Sequence, residues 1–138
     1  MSKNLKEKIS VIIKKFEIGK FQEVINESLV LLKKNDNDFL WNLLGLSFQN
    51  LHQIDKSINC FENALGLNPK NFSASNNLGL SYKKLKNYQR AEECFLKSIE
   101  LNLKYVNPLV NLGNVKNETY FFNDAISYYN QALKINKN

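Results

Sequence analysis

The sequence predicts an all-α fold, a row of helical hairpins repeated along the chain, on three observations. A Leu-Gly pair returns every 34 residues, as Leu44-Gly45, Leu78-Gly79 and Leu112-Gly113. A fixed period of roughly 20–50 residues is the mark of stacked repeat units. Two prolines and five glycines in 138 residues leave little material for a turn-rich β fold. Apolar residues elsewhere recur at helical spacing between short polar stretches such as "KLKNYQR" and "NLHQIDK".

A glycine inside a helix costs about 1 kcal/mol relative to alanine, so three in register need a reason. Twelve residues after each glycine stand Ser57, Ala91 and Ala125; sixteen after, Phe61, Phe95 and Tyr129. Nineteen after come Ala64, Ser98 and Ala132, and twenty after, Leu65, Ile99 and Leu133. Small residues recur where helices must approach and large ones where a gap must be filled. The glycines are therefore predicted to lie where the second helix of a hairpin crosses the first too closely for a side chain.

This register predicts eight helices, near 3–18, 21–34, 38–51, 55–67, 72–85, 89–101, 106–118 and 123–136. Leu5, Ile9, Ile12, Ile13 and Phe16 give the first helix its apolar face, and a turn at Gly19-Lys20 leads to Phe21, Val24, Ile25, Leu31 and Leu32 in the second. Ile12 takes the place of the glycine, so this first hairpin is expected to pack more loosely than the others. Pro108 suits the first turn of the seventh helix, where its missing N–H costs nothing. The whole chain, 1–138, is read as a single domain with a degenerate repeat at 5–37 and clear repeats at 38–71, 72–105 and 106–138.

These residues resemble the tetratricopeptide repeat family, whose signature is Trp-x2-Leu-Gly-x2-Tyr followed by Ala, aromatic, Ala and Pro. Trp41, Leu44, Gly45, Phe48, Phe61, Ala64 and Pro69 match in the first clear repeat. Leu78, Gly79, Tyr82, Ala91 and Phe95 match in the second, and Leu112, Gly113, Ala125, Tyr129 and Ala132 in the third. Ser57 and Ser98 depart from alanine, Leu103 from proline and Lys116 from the first-helix aromatic. The resemblance implies a right-handed α-solenoid whose first helices line a concave groove for an extended peptide or partner helix. By that register the groove residues are Asn42, Leu43, Leu46, Asn76, Asn77, Leu80, Asn107, Val110, Asn111 and Asn114.

Two binding modes of the family can be set against these positions. A carboxylate clamp for acidic chaperone tails needs lysines and an arginine among the groove slots that this chain fills with Asn42, Leu46, Asn77, Asn107 and Asn111; only Asn77 fits that pattern. An asparagine ladder, with one asparagine two residues before each glycine, is matched by Asn77 and Asn111 and broken by Leu43. An asparagine amide donates to a carbonyl and accepts from an N–H, which suits a peptide backbone.

Little else carries chemistry. His52 is the only histidine and falls in an inter-helix turn, and no metal site is expected. Cys60 and Cys94, one repeat apart, are expected to be reduced, because helix spacing holds such positions too far apart for a disulfide. No nucleophile set and no phosphate loop appears, so neither an enzyme nor a cofactor is expected. The net charge of +6 rests on scattered lysines and a single arginine, Arg90, a solvated surface rather than a specific nucleic-acid reader. No stretch approaches the ~20 apolar residues of a membrane span. Asn26, Asn71 and Asn117 match the glycosylation pattern by chance in a chain with 22 asparagines. The expected role is a cytoplasmic protein-interaction scaffold for a protein or peptide ligand. The alternatives are the acceptor-positioning region of a larger glycosyltransferase or sulfotransferase, and self-association through an uncapped C-terminal helix, where Tyr128, Ala132 and Ile135 would lie partly bare.

Overall fold

The computed structural model describes residues 1–137, and among these every regular element is a helix. The order is α1 (Lys3–Glu17), α2 (Phe21–Leu32), α3 (Asp38–Asn50), α4 (Ile54–Leu67), α5 (Phe72–Lys84), α6 (Tyr88–Leu101), α7 (Asn107–Glu118) and α8 (Phe122–Ile135). The chain divides into two compact units, Met1–Pro69 and Lys70–Asn138, each of two hairpins. Within unit 1, α2 also packs on α3; within unit 2, α6 packs on α7.

Local chemistry sets the helix ends. Ser2, Asn37, Asn71 and Asn87 accept the backbone N–H of Leu5, Leu40, Ala74 and Arg90, capping α1, α3, α5 and α6. Part of the asparagine excess is thus capping. Pro108 lies in the first turn of α7.

Every hairpin turns through one backbone device. After α1, Lys20 N–H donates to Lys15 O and Gly19 N–H to Phe16 O, and Gly19 has φ +78°. The same pair of bonds closes α3 through Gln53 and His52, α5 through Asn87 and Lys86, and α7 through Phe121 and Tyr120. This is the Schellman ending, with its left-handed residue after the cap. His52, Lys86 and Tyr120 hold φ of 60°, 59° and 66° although none is glycine. His52 is therefore a turn former, exposed and conformationally constrained.

The helical glycines do what the register requires. A Cβ on Gly45 would stand 2.5 Å from Phe61 Cε1, on Gly79 2.6 Å from Phe95 Cε1, and on Gly113 2.3 Å from Tyr129 Cε1. Phe61 and Phe95 are wholly buried, so the rings fill the space that a side chain would take. Tyr129 is half-buried, and its hydroxyl donates to Asn114 Oδ1 at 2.7 Å.

The first hairpin reverses the sizes. Ile12 stands at the glycine position and is buried, while Ser28, sixteen residues on, stands at the aromatic position and is buried as well. Large and small have changed helices. The exchange is imperfect: Ser28 Oγ has no hydrogen-bond partner, and α1 meets α2 over fewer residues than the paired helices of the other hairpins. The serines that replace alanine are satisfied instead. Ser57 Oγ donates to Ile54 O, and Ser98 Oγ donates to Phe72 O, tying α6 to α5.

One expected surface needs correcting at one residue. Of the stripe expected to lie partly bare, Tyr128 and Ile135 are half-buried and so partly exposed, while Ala132 is buried. The exposed apolar side chains there are Phe122, Ile126 and Leu133.

A left-handed residue with a Cβ is strained by about 1–2 kcal/mol. Lys86→Gly and Tyr120→Gly should each raise the stability of the protein toward chemical denaturants by up to about 1 kcal/mol, less the glycine's added unfolded-state entropy. Gly19→Ala should lower it. A loss on Lys86→Gly would show that the turn is held by the lysine side chain and not by backbone geometry.

Candidate functional site

Within unit 2, α5 and α7 lie side by side and bring the asparagine positions together. Asn111 Nδ2 donates to Asn76 Oδ1 at 2.9 Å, joining the two first helices. Asn76 is 2% exposed, so this bond satisfies an amide oxygen that water does not reach. Asn111 itself is half-buried, with its amide plane fixed by the bond. Asn77 is buried and Leu80 half-buried on α5; Val110 and Asn107 are exposed on α7. Asn107 Nδ2 donates to Tyr105 Oη at 3.2 Å, and Asn114 accepts from Tyr129. Asn76, Asn107, Asn111 and Asn114 therefore have internal partners.

On α3 in unit 1, Asn42 is buried and Leu46 half-buried. Leu43 packs with Ile12 and Val24. Its side chain is committed to the core of its unit, which accounts for a leucine where the ladder would have an asparagine.

Charges border the α5–α7 face. Lys83 Nζ pairs with Glu118 at 2.6 Å, and Tyr88 Oη donates to the same carboxylate at 3.2 Å. The hydrogen bond from Lys83 holds the Glu118 carboxyl below its ordinary range. Lys116 donates to both oxygens of Glu92, at 2.9 and 3.0 Å, and that bond raises the lysine's pKa. In unit 1, Lys15 pairs with Glu23 and Glu27; the hydrogen bond to Glu27 is the chief cause of its raised pKa.

Lys116, a departure from the repeat pattern, has a compensating neighbour. In the two preceding repeats an aromatic on the first helix faces a cation eleven residues after the glycine: Phe48 with Lys56 at 5.5 Å, Tyr82 with Arg90 at 5.3 Å. In the last repeat the cation is Lys116 on the first helix, over the Phe121 ring at 5.3 Å, and Asp124 takes the former cation position. The cation has moved to the first-helix aromatic position and the ring to the turn at Phe121, and the cation–π contact survives.

Among the described residues no group of three or more His, Cys, Asp and Glu side chains could hold a metal ion. Cys60 and Cys94 are free thiols, and burial pushes Cys60 up to about 12, which leaves it unreactive at neutral pH. No described helix is long and apolar enough to cross a membrane.

Comparison with known proteins agrees with this geometry. A sequence model described as "Tetratricopeptide repeat" matches residues 73–105, and one described as "TPR repeat" matches residues 51–86. Residues 51–105 of the chain carry tetratricopeptide repeats. No curated protein sequence matches it. Among solved structures it is similar to a crystal structure of MamA, with 18% identity, TM-score 0.86, and 97% of this chain and 79% of that one covered. MamA 41-end from Desulfovibrio magneticus RS-1 gives 15% identity and TM-score 0.84 over 96% and 75%. The second tetratricopeptide-repeat domain of Spaghetti (RPAP3), bound to the HSP90 peptide SRMEEVD, gives 18% identity and TM-score 0.68 over 72% and 92%. At these identities the likeness establishes an all-α solenoid fold of this repeat type.

The sign of the Glu118 shift fixes a pH dependence. A carboxylate whose folded pKa is depressed contributes stability above its ordinary pKa, here 4.5, and loses it as the pH falls through the folded value. Glu118 is more than one-third exposed, so the effect is small and weakened by salt. Glu118→Gln should therefore flatten the stability profile below about pH 4.5 while leaving the loss due to Glu23 in unit 1. An unchanged acid limb in denaturant titrations at low salt would show that the Lys83 pair is not populated in solution.

Proposed function

We propose that residues 1–138 act as a non-catalytic protein-interaction scaffold in the cytoplasm, holding an extended peptide or partner helix along the face of α5 and α7. The observation that carries this reading is the Asn76–Asn111 bond. It fixes the Asn111 amide in advance, and a donor–acceptor group whose orientation is already set loses less freedom when a ligand backbone binds. Leu80 and Val110 beside it supply apolar contact for ligand side chains. The free thiols Cys60 and Cys94 suit a reducing compartment.

The RPAP3 domain holds a peptide rich in acidic residues. Asn42, Leu46, Asn77, Asn107 and Asn111 fill the clamp slots and none is a cation, which favours a ligand recognised through its backbone and apolar side chains. A second reading, self-association, is supported by the exposed Ile126 and Leu133 of α8.

Peptides selected from a random library on the immobilised parent protein supply the ligand for a direct test. Asn77→Ala/Asn111→Ala should weaken their binding tenfold to a thousandfold, since two lost hydrogen bonds at about 1–3 kcal/mol each in a partly desolvated site span that range. Because Asn76 then loses its partner, the double variant should also be less stable, so Val110→Asp, on an exposed side chain, serves as the fold-neutral companion. Binding should change little with salt, in contrast to the steep dependence of a polyanion ligand. Equal affinities in parent and both variants would remove the α5–α7 face as the site.

A further inference from the structure

The two ends of the chain carry the two halves of an interface that the protein already builds inside unit 1. There Ile25 and Leu32 of α2 pack with Trp41, Leu44 and Phe48 of α3 and with Cys60 of α4 in one apolar cluster. Ile25 is 3% exposed and Leu44 is wholly buried. Counted from Ile12 and from Gly113, Ile126 and Leu133 of α8 hold the positions of Ile25 and Leu32, thirteen and twenty residues on. They are 57% and 67% exposed. In α8 the second-helix half of the seam is present, and among the described residues no first helix covers it.

The first-helix half lies bare at the other end. By the same register Val11 holds the position of Leu44, Lys8 that of Trp41 and Glu27 that of Cys60. These three residues help line an open crevice of about 410 Å³ between α1 and α2, with Val30 on its far wall. Val11 and Val30 are 51% and 62% exposed. Lys8, Lys15 and Glu27, at the positions of Trp41, Phe48 and Cys60, put charge on this face, and Val11 and Val30 are its exposed apolar side chains. Lys15 holds Glu27 in an ion pair, so the one acidic group in the crevice has its counter-charge within its own chain.

We propose that α8 of one copy seats in the α1–α2 crevice of a second copy, Ile126 and Leu133 lying on Val11 and Val30, so that copies join head to tail. This rests on the self-association reading and specifies both faces. A second copy is the occupant because Ile126 and Leu133 hold the register positions of Ile25 and Leu32, and Val11 that of Leu44, which those two side chains meet within unit 1; Val30 adds an exposed apolar neighbour. The contact is heterologous: a pair joined by it keeps one face of each kind free, so assemblies grow with concentration, as open rows or, where the rotation closes, as rings.

That asymmetry supplies the experiment. Val11→Glu charges the crevice and leaves α8 intact; Leu133→Glu charges α8 and leaves the crevice intact. Both side chains are exposed, and circular dichroism checks that each variant keeps the parent's helicity. Sedimentation should show the parent's average mass climbing from micromolar to millimolar protein, each variant alone as a monomer, and their equimolar mixture as a particle of two chains and no larger. If the parent assembles while either variant alone still dimerises, or while the mixture stays monomeric, the head-to-tail seam is wrong and self-association stands on other surfaces. A parent that stays monomeric at millimolar concentration overturns the self-association reading itself.

Discussion

The contact between a helical glycine and the aromatic sixteen residues later governs each of the three clear repeats. It sets how closely the second helix crosses the first, and the placement of every other small residue follows from that distance. Ser57, Ala91 and Ala125 are buried, as are Ala64, Ser98 and Ala132, because helices this close admit nothing larger between them. The first hairpin meets the same volume condition by other means, with Ile12 large and Ser28 small. It accepts a buried hydroxyl without a partner, a fault of about 1–3 kcal/mol.

Much of this was legible in the sequence because the constraint repeats. Three glycines in register placed eight helices to within about two residues of their observed ends, the usual uncertainty of helix boundaries. What escaped has no residue-type signal. His52, Lys86 and Tyr120 adopt left-handed backbone that glycine usually signs, and only the hydrogen-bond pattern of the turn reveals them. The stripe counted at Tyr128, Ala132 and Ile135 has two partly exposed side chains and one buried one. Transferring Ile25, which is buried, and Leu32, which is half-buried, along the register leads to the more exposed Ile126 and Leu133.

The candidate site was legible in part. The register gathered Asn76 and Asn111 onto neighbouring helices, but the bond between them depends on rotamers that spacing does not specify. Asparagine serves three ends in this chain: it caps helices at Asn37, Asn71 and Asn87, bridges them at Asn76 and Asn111, and satisfies the Tyr129 hydroxyl at Asn114. Composition alone could not apportion it. The cation–π exchange at Lys116, Phe121 and Asp124 is a further case. One departure from the repeat pattern reads as a defect until its neighbours show where the aromatic and the charge have gone.

The central claim is that close packing against the ring, and not backbone preference, keeps glycine in the first helix of each clear repeat. The direct measurement is a double-mutant cycle on Gly79 and Phe95, followed by denaturant unfolding. In the parent, Gly79→Ala should destabilise, because its Cβ would stand 2.6 Å from a ring that is wholly buried and cannot turn aside. In a Phe95→Leu background that penalty should vanish, leaving alanine's intrinsic helix preference to stabilise the protein by up to about 1 kcal/mol. Reversal of sign between the two backgrounds is the expected result. A stabilising Gly79→Ala in the parent, or the same effect in both backgrounds, would contradict the account.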